Sequence, residues 1–291
     1  MAAEKITMEQ FGTLYIVATP IGNLEDISSR AINVLASVDI IAAEDTRHSK
    51  KLLQSIQVQT QQVPYHDFSS PDATAKIVSK LEKGCSIALI SDAGTPLISD
   101  PGYKLVKLAR EKNISVVPIP GASAVTAALS VAGIPTDRFI FEGFLPNKTV
   151  ARTKYLQELV LETRTLVFFE SPHRIVECLA DISKVFGAER EIFVAREISK
   201  KFESHFLGSL AQVLEWIEAD PVQQKGEFVL VLAGCGADEL RKKIERQALD
   251  IVELLRGKIP MKQAVTIACE ITGARKNTIY DLTLKPAGQE D

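Results

Sequence analysis

No run in this 291-residue chain approaches the roughly 20 consecutive apolar residues that a membrane helix needs. The start, Met1-Ala2-Ala3-Glu4-Lys5-Ile6-Thr7-Met8, lacks the apolar core of a secretory signal; residues 1–10 are expected to form a frayed tail. The four cysteines, Cys85, Cys178, Cys235 and Cys269, make no CxxC pair and no metal-ligand spacing. They are expected to be small buried hydrophobes in a reducing cytoplasm, with no metal site. No GxGxxG follows a strand pattern, which argues against dinucleotide binding through that fingerprint. No GxxxxGK[ST] occurs either, which argues against P-loop chemistry. Low-complexity segments and sequence repeats are also missing.

The net charge of −3 does not advertise nucleic-acid binding by the chain as a whole. Its distribution does more. Residues 241–285 hold ten Lys/Arg against five Asp/Glu, a net of +5 on an acidic body. Such a segment suits a polyanion, although a solvated helix face has the same composition.

Residues 11–121 alternate short apolar strands with helices of about ten residues. Strands are expected at Leu14–Ala18, Ile40–Ala43, Gln62–Tyr65, Ile87–Ile90 and Val116–Ile119. Helices are expected near Ser28–Ser37, Ser49–Ser55, Ala73–Lys83 and Tyr103–Lys112. This is the pattern of an α/β domain with a parallel sheet covered on both faces. Residues 122–236 form a second α/β unit, with strands at Phe139–Phe144, Leu166–Phe169, Ile192–Ala195, Phe202–Phe206 and Phe228–Leu232. The short connector Arg196–Lys201 implies a hairpin, so the second sheet is expected to be mixed. Residues 237–291 read as helices only. Pro260 sits in the first turn of a helix through Thr272, Gly273 makes a turn, and Ala274–Lys285 is a second helix. Ile279 and Leu282 follow Gly273 at helix-turn-helix spacing, and Arg275 and Lys276 would open the second helix toward phosphate.

Polar loops recur at the strand ends. Ser91-Asp92-Ala93-Gly94-Thr95-Pro96-Leu97-Ile98-Ser99-Asp100-Pro101-Gly102 follows a buried strand, where open α/β sheets bind ligands. Glu44-Asp45-Thr46-Arg47-His48 follows another; a helix cap explains Asp45 or Thr46 but not Arg47 and His48 together. Gly121-Ala122-Ser123-Ala124 opens a helix whose free N–H groups suit a ligand carboxylate or carbonyl. It also resembles a nucleophile elbow without its last glycine, which leaves a Ser123 hydrolase open. Phe169-Glu170-Ser171-Pro172-His173-Arg174 repeats the theme, with Pro172 placed in a first helical turn. Ala195-Arg196-Glu197 and Lys225-Gly226-Glu227 mark two more strand ends. The loop from Pro146 to Lys154 is basic, and Lys148, Arg152 and Lys154 could face phosphate there.

Residues alone lead to a two-domain α/β protein with a ligand cleft. The segments Leu14–Leu24, Ala43–Ser49, Ser91–Gly102, Pro120–Ser123, Glu142–Pro146 and Phe169–Arg174 resemble the tetrapyrrole methylase superfamily, in its small-subunit ribosomal RNA methyltransferase I branch. The resemblance runs from about residue 11 to 285. It implies a methyltransferase with S-adenosylmethionine in the cleft between two α/β domains, and a homodimer. It implies 2′-O-methylation of a cytidine in the decoding region of 16S rRNA, within the small ribosomal subunit. Carried over, cofactor contacts fall on Ile21, Thr95, Pro96, Ile98, Ser123 and Ala124, and on Phe169, Ala195, Arg196 and Glu227. Thr95 stands where many members have Asp, so backbone contacts are expected to carry more here. Asp45 is the expected proton acceptor or hydroxyl orienter, with Arg47 and His48 beside it. Glu170 is its rival, and Asp100 positions substrate or cofactor ammonium. Two other readings stay open besides the hydrolase: a tetrapyrrole methyltransferase and a non-catalytic RNA-binding regulator.

Overall fold

The computed structural model describes residues 11–66 and 71–284. The expected tail, residues 1–10, lies outside the described residues, as does Lys285. The first half comprises β1 (Thr13–Val17), α1 (Ser29–Ser37), β2 (Ile40–Ala43), α2 (Thr46–Ser55), β3 (Gln62–Pro64), α3 (Pro71–Glu82), β4 (Ile87–Ile90), α4 (Tyr103–Glu111) and β5 (Ser115–Ile119). The strands form one parallel sheet in the order β3-β2-β4-β1-β5.

Every residue of β2 and β4 is buried, as strands covered on both faces require. Alternation sorts their side chains. Ile40, Ala42, Ile87 and Leu89 pack with Leu81 of α3 and Leu105 of α4. Ile41, Ala43, Ala88 and Ile90 pack on the other face with Leu35 of α1 and Leu53 of α2. The neighbours β1 and β4 are thus followed by helices on opposite faces. The two connections diverge and leave a crevice outside the carboxyl ends of these strands.

The second half adds α5 (Ala124–Val131), β6 (Phe139–Phe144), α6 (Thr149–Glu158), β7 (Thr165–Glu170), α7 (Ile175–Phe186), β8 (Glu191–Arg196), β9 (Ser204–Ser209), α8 (Leu210–Ala219) and β10 (Phe228–Leu232). Its sheet, β6-β7-β10-β8-β9, is mixed: β6 and β7 are parallel and the other pairs antiparallel. Leu156, Leu179 and Val213 from α6, α7 and α8 cover one face. Val125, Ala128 and Leu129 of α5 cover the other. Helix α5 therefore starts beside the first sheet and packs on the second.

Four local expectations are corrected. Helix α2 begins at Thr46 and not Ser49, because the Asp45 side chain accepts from Arg47 N and caps it. The basic stretch after Pro146 is helical from Thr149. Pro172 lies in a turn, and α7 starts only at Ile175. Strand β9 starts at Ser204, since Ser204 is the residue that pairs with Arg196, while Phe202 is exposed in the connector.

After β10 come α9 (Ala237–Leu255), α10 (Met261–Thr272) and α11 (Lys276–Leu284), which share an apolar cluster of their own. Gly273 ends α10 at φ 78°, a left-handed cap that glycine adopts without Cβ strain. Ile279 is fully buried in this cluster and Leu282 packs against it. No helix among the described residues is long and apolar enough to cross a membrane.

Arg152, expected to face RNA, is instead completely buried. Its Nε donates to Asp181 Oδ2 at 2.7 Å and its Nη2 lies 2.6 Å from the same oxygen, which staples α6 to α7. A guanidinium sealed in this way cannot reach a phosphate. Asp181→Ala leaves it buried without its partner and is expected to cost about 3 kcal/mol. Urea denaturation measures this; a loss below about 1 kcal/mol would show that the pair does not hold the two helices.

Candidate functional site

Loops from both sheets meet over the crevice and enclose a cavity of about 410 Å³, within the ~300–1,000 Å³ of small-molecule sites. Ile21 enters after β1. Gly94, Thr95, Ile98 and Asp100 enter after β4, and Ser123 and Ala124 open α5. From the second sheet come Phe144 at the end of β6, Phe169 and Glu170 at the end of β7, and Glu227 just before β10.

Backbone bonds set this geometry. Thr19 N donates to Gly94 O at 2.8 Å and Gly94 N to Thr19 O at 3.1 Å, so the β1 and β4 loops are tied reciprocally. Thr95 Oγ1 donates to Ala122 O at 3.0 Å and joins the β5 loop to them. Thr95 thus ties the β4 and β5 loops together through its side chain. Leu97 and Ser99 adopt φ 74° and 64°, a left-handed conformation that costs non-glycine residues about 1–3 kcal/mol each. Ser123 gives α5 no side-chain cap, so first-turn N–H donors of α5 lie where Ser123 and Ala124 line the cavity.

Seven of the ten expected cofactor residues line the cavity: Ile21, Thr95, Ile98, Ser123, Ala124, Phe169 and Glu227. Three do not. Pro96 is buried within its loop. Ala195 is fully buried in the sheet against the α5 cluster. Arg196 is buried and spends its guanidinium on Lys225 O at 2.6 Å and Phe202 O at 3.0 Å, so it shapes the loops behind the cavity wall.

Of the five residues expected to act in chemistry, Asp100 and Glu170 line the cavity. The buried Glu170 is gripped by Arg174, with Nε 2.9 Å from Oε1 and Nη2 2.8 Å from Oε2, and Ser171 N donates to Oε1 at 2.7 Å. Asp45, Arg47 and His48 are not among the lining residues. Arg47 Nε and Nη2 donate to Asp45 at 3.1 and 2.8 Å. These bonds hold the Asp45 carboxyl well below the usual carboxylate range, mainly through the guanidinium. Asp45 N donates to Asp92 Oδ1 at 3.1 Å, so this cluster braces the β4 loop from outside. No lining residue is a histidine, so the cavity does not assemble a Ser–His pair on Ser123.

Lys148, Lys154, Arg275 and Lys276 are exposed on the surface. Sequence reasoning missed Phe144, Ile198, Lys200 and Val229 in the wall. Phe144 packs edge-on to Phe169 with centroids 5.7 Å apart. It stood inside a quoted motif without a role. Ile198 and Lys200 lie in a connector whose only visible signal was its shortness.

Residues 13–214 match the family Tetrapyrrole (Corrin/Porphyrin) Methylases, and residues 243–287 match the RsmI C-terminal HTH domain. A Pseudomonas aeruginosa protein named Ribosomal RNA small subunit methyltransferase I is 49% identical, covering 96% of this chain and 99% of that protein. Its namesake in Escherichia coli O157:H7 is 45% identical over 95% of this chain and 96% of that protein. Among solved structures, a diphthine synthase superposes with a TM-score of 0.57 at 15% identity, over 79% of this chain and 94% of that one. Uroporphyrin-III C-methyl transferase from Thermus thermophilus, complexed with S-adenyl homocysteine, gives 0.53 at 16% identity, over 76% and 97%. These two share the fold. With relatives this similar over nearly their full length, the chain belongs to the tetrapyrrole methylase family and, within it, to the ribosomal RNA small subunit methyltransferases I.

Proposed function

We propose that this protein transfers a methyl group from S-adenosylmethionine to the ribose 2′-hydroxyl of a cytidine in the decoding region of 16S rRNA. The observation that carries the reading is the cavity itself. It lies at the switch point of a parallel sheet, is roofed by loops of a second sheet, and is lined by aromatic and carboxylate side chains. The residues fit the cofactor. Phe144, Phe169, Ile21 and Ile98 offer an apolar bed for a purine, Glu227 an acceptor for hydroxyl or ammonium donors, and the start of α5 N–H donors for a carboxylate. When bound, S-adenosylmethionine supplies an activated methyl on a sulfonium.

Transfer to a hydroxyl is an in-line displacement that needs alignment and then proton removal. Glu170 is locked by Arg174, and Asp45 is a weakened base outside the cavity lining. Asp100 lies on the β4 loop that forms the cavity wall, and on that placement we assign it the hydroxyl-orienting and proton-accepting role in place of Asp45. Arg275 and Lys276, exposed at the start of α11, hold RNA phosphate, with Lys148 and Lys154 as further contacts. A small tetrapyrrole substrate would give these basic residues nothing to do. A homodimer and a cytoplasmic location belong to the same proposal.

The direct test is transfer of tritium from labelled S-adenosylmethionine to small ribosomal subunits from a strain lacking this gene, with naked 16S rRNA and a tetrapyrrole precursor in parallel. Alkali-stable label in a 2′-O-methyl dinucleotide supports the reading; label only in the tetrapyrrole overturns it. Asp100→Asn is expected to lower kcat about a hundredfold with cofactor affinity nearly unchanged, whereas Asp45→Asn keeps kcat. Equal rates for wild type and Asp100→Asn would remove Asp100 from the chemistry. Replacing both Arg275 and Lys276 by Ala is expected to weaken RNA binding and to reduce the slope of log K against log salt by about 1–2. An unchanged slope in filter binding across a salt series would place the phosphate contacts elsewhere.

A further inference from the structure

The connector between β8 and β9, residues 197–203, reaches from the second sheet to the loop after β1. The Ser199 hydroxyl bonds the Asp26 carboxylate. The stem of Lys200 lies directly on Gly22, where an added Cβ would stand 2.2 Å from Lys200 Cγ. At its other end Lys200 Nζ sits 2.8 Å from Glu197 Oε1 and 2.9 Å from Glu227 Oε2. Glu227 N donates to Glu197 Oε1 at 2.9 Å, which closes a compact network. The Glu197 side chain is folded over Gly226, where a Cβ would meet its Cγ at 2.5 Å.

Two features show that this arrangement is held against a cost. Glu197 and Ser199 both have left-handed backbones, at φ 52° and 65°. Arg196 is buried to clamp Phe202 O and Lys225 O on either side of the network. Among the lining residues Lys200 is the one Lys or Arg. The Glu227 side chain is 78% exposed, so without the ammonium it would turn freely in water.

We propose that Lys200 is a positioning residue for the cofactor site: seated on Gly22 of the first half, it fixes the Glu227 carboxylate of the second half in the cavity wall. Lys200 does not touch the reacting atoms. It makes the affinity for the cationic, hydroxyl-bearing cofactor depend on contact between the two halves. The inference rests on the methyl-transfer reading and names a residue that the reading does not need.

The test uses the full chain with Lys200→Met, Gly22→Ala and the double variant. The Gly22 backbone is not left-handed, so Ala there removes the seat without straining the main chain. Kinetics with small ribosomal subunits give KM for S-adenosylmethionine and kcat, and calorimetry gives Kd for S-adenosylhomocysteine. Lys200→Met is expected to raise KM and Kd about tenfold with kcat within about twofold. Gly22→Ala should move them in the same direction. The double variant should be no worse than Lys200→Met alone, because both changes act through one contact. Multiplying effects in the double variant, unchanged KM in both singles, or a fall in kcat at constant KM would each overturn the proposal. Should Lys200→Met fail to fold, Gly22→Ala alone decides by its KM. Failure of the wild type to bind either probe would be failure of the methyl-transfer reading, which is thereby distinguished from failure confined to the variants.

Discussion

The cavity depends on one constraint: β1 and β4 are hydrogen-bonded neighbours whose following helices pack on opposite faces of the sheet. Their loops must diverge, and divergence alone would leave a floppy gap. The reciprocal backbone pair between Thr19 and Gly94, an isolated antiparallel bridge beyond the parallel strands, prevents this by tying the two loops together. Gly94 can serve there because its φ of 81° is open to glycine, and because a Cβ would come within 3.3 Å of Ile21 Cγ2. One residue thus joins the loops and keeps space beside Ile21 in the wall.

The second sheet supplies the other wall through the same edge logic. In its mixed order the carboxyl ends of β6, β7 and β8 and the start of β10 share one edge. Phe144, Glu170, the 197–203 connector and Glu227 are brought together although 83 positions separate the first from the last. Helix α5 sets how the halves meet, since it begins at the first sheet's edge and buries Val125, Ala128 and Leu129 against the second sheet. Four non-glycine residues with left-handed backbones, Leu97, Ser99, Glu197 and Ser199, lie in the cavity loops. At about 1–3 kcal/mol each, such strain persists only on a rigid frame, and the fully buried strands provide one.

Much of this was legible in the chain. Four-residue apolar runs such as Ile40–Ala43 and Ile87–Ile90 fixed their strands to the residue, because a doubly covered strand tolerates no polar position. The hairpin between β8 and β9 followed from a connector too short for a crossover. The polar strand ends pointed to the edge of the sheet where the cavity lies, and seven of the ten cofactor residues named from the family resemblance line it. Where side chains lie elsewhere than expected, the reason is that charge alone does not say where a side chain points. Arg152 in a basic stretch turned inward to Asp181, and Arg196 turned behind the wall. Asp45 served both as a cap and as the anchor of Arg47. Lys200 was invisible because its role depends on a glycine nearly 180 residues earlier, on another sheet's loop.

The pairing of acids with bases around the cavity bears on how the two expected ligands can share it. A sulfonium cofactor is cationic and favours carboxylates, whereas an RNA strand is repelled by them. Two unit charges 4 Å apart interact by about 4 kcal/mol at the effective dielectric of a protein surface, enough to decide either encounter. Here Glu170 carries Arg174, Glu197 and Glu227 share Lys200, and Asp45 carries Arg47. The Glu170–Arg174 and Asp45–Arg47 pairs are nearly neutral at the range over which a polyanion approaches, because opposite charges about 3 Å apart present little more than a dipole beyond a Debye length of about 8 Å. Lys200 reduces the two carboxylates it bridges to a single net negative charge. At contact distance the carboxylate oxygens remain strong acceptors. Paired carboxylates can therefore serve a small cation inside the cavity while repelling the RNA outside it less than bare ones would, and unpairing Glu227 by removing Lys200 would disturb both at once.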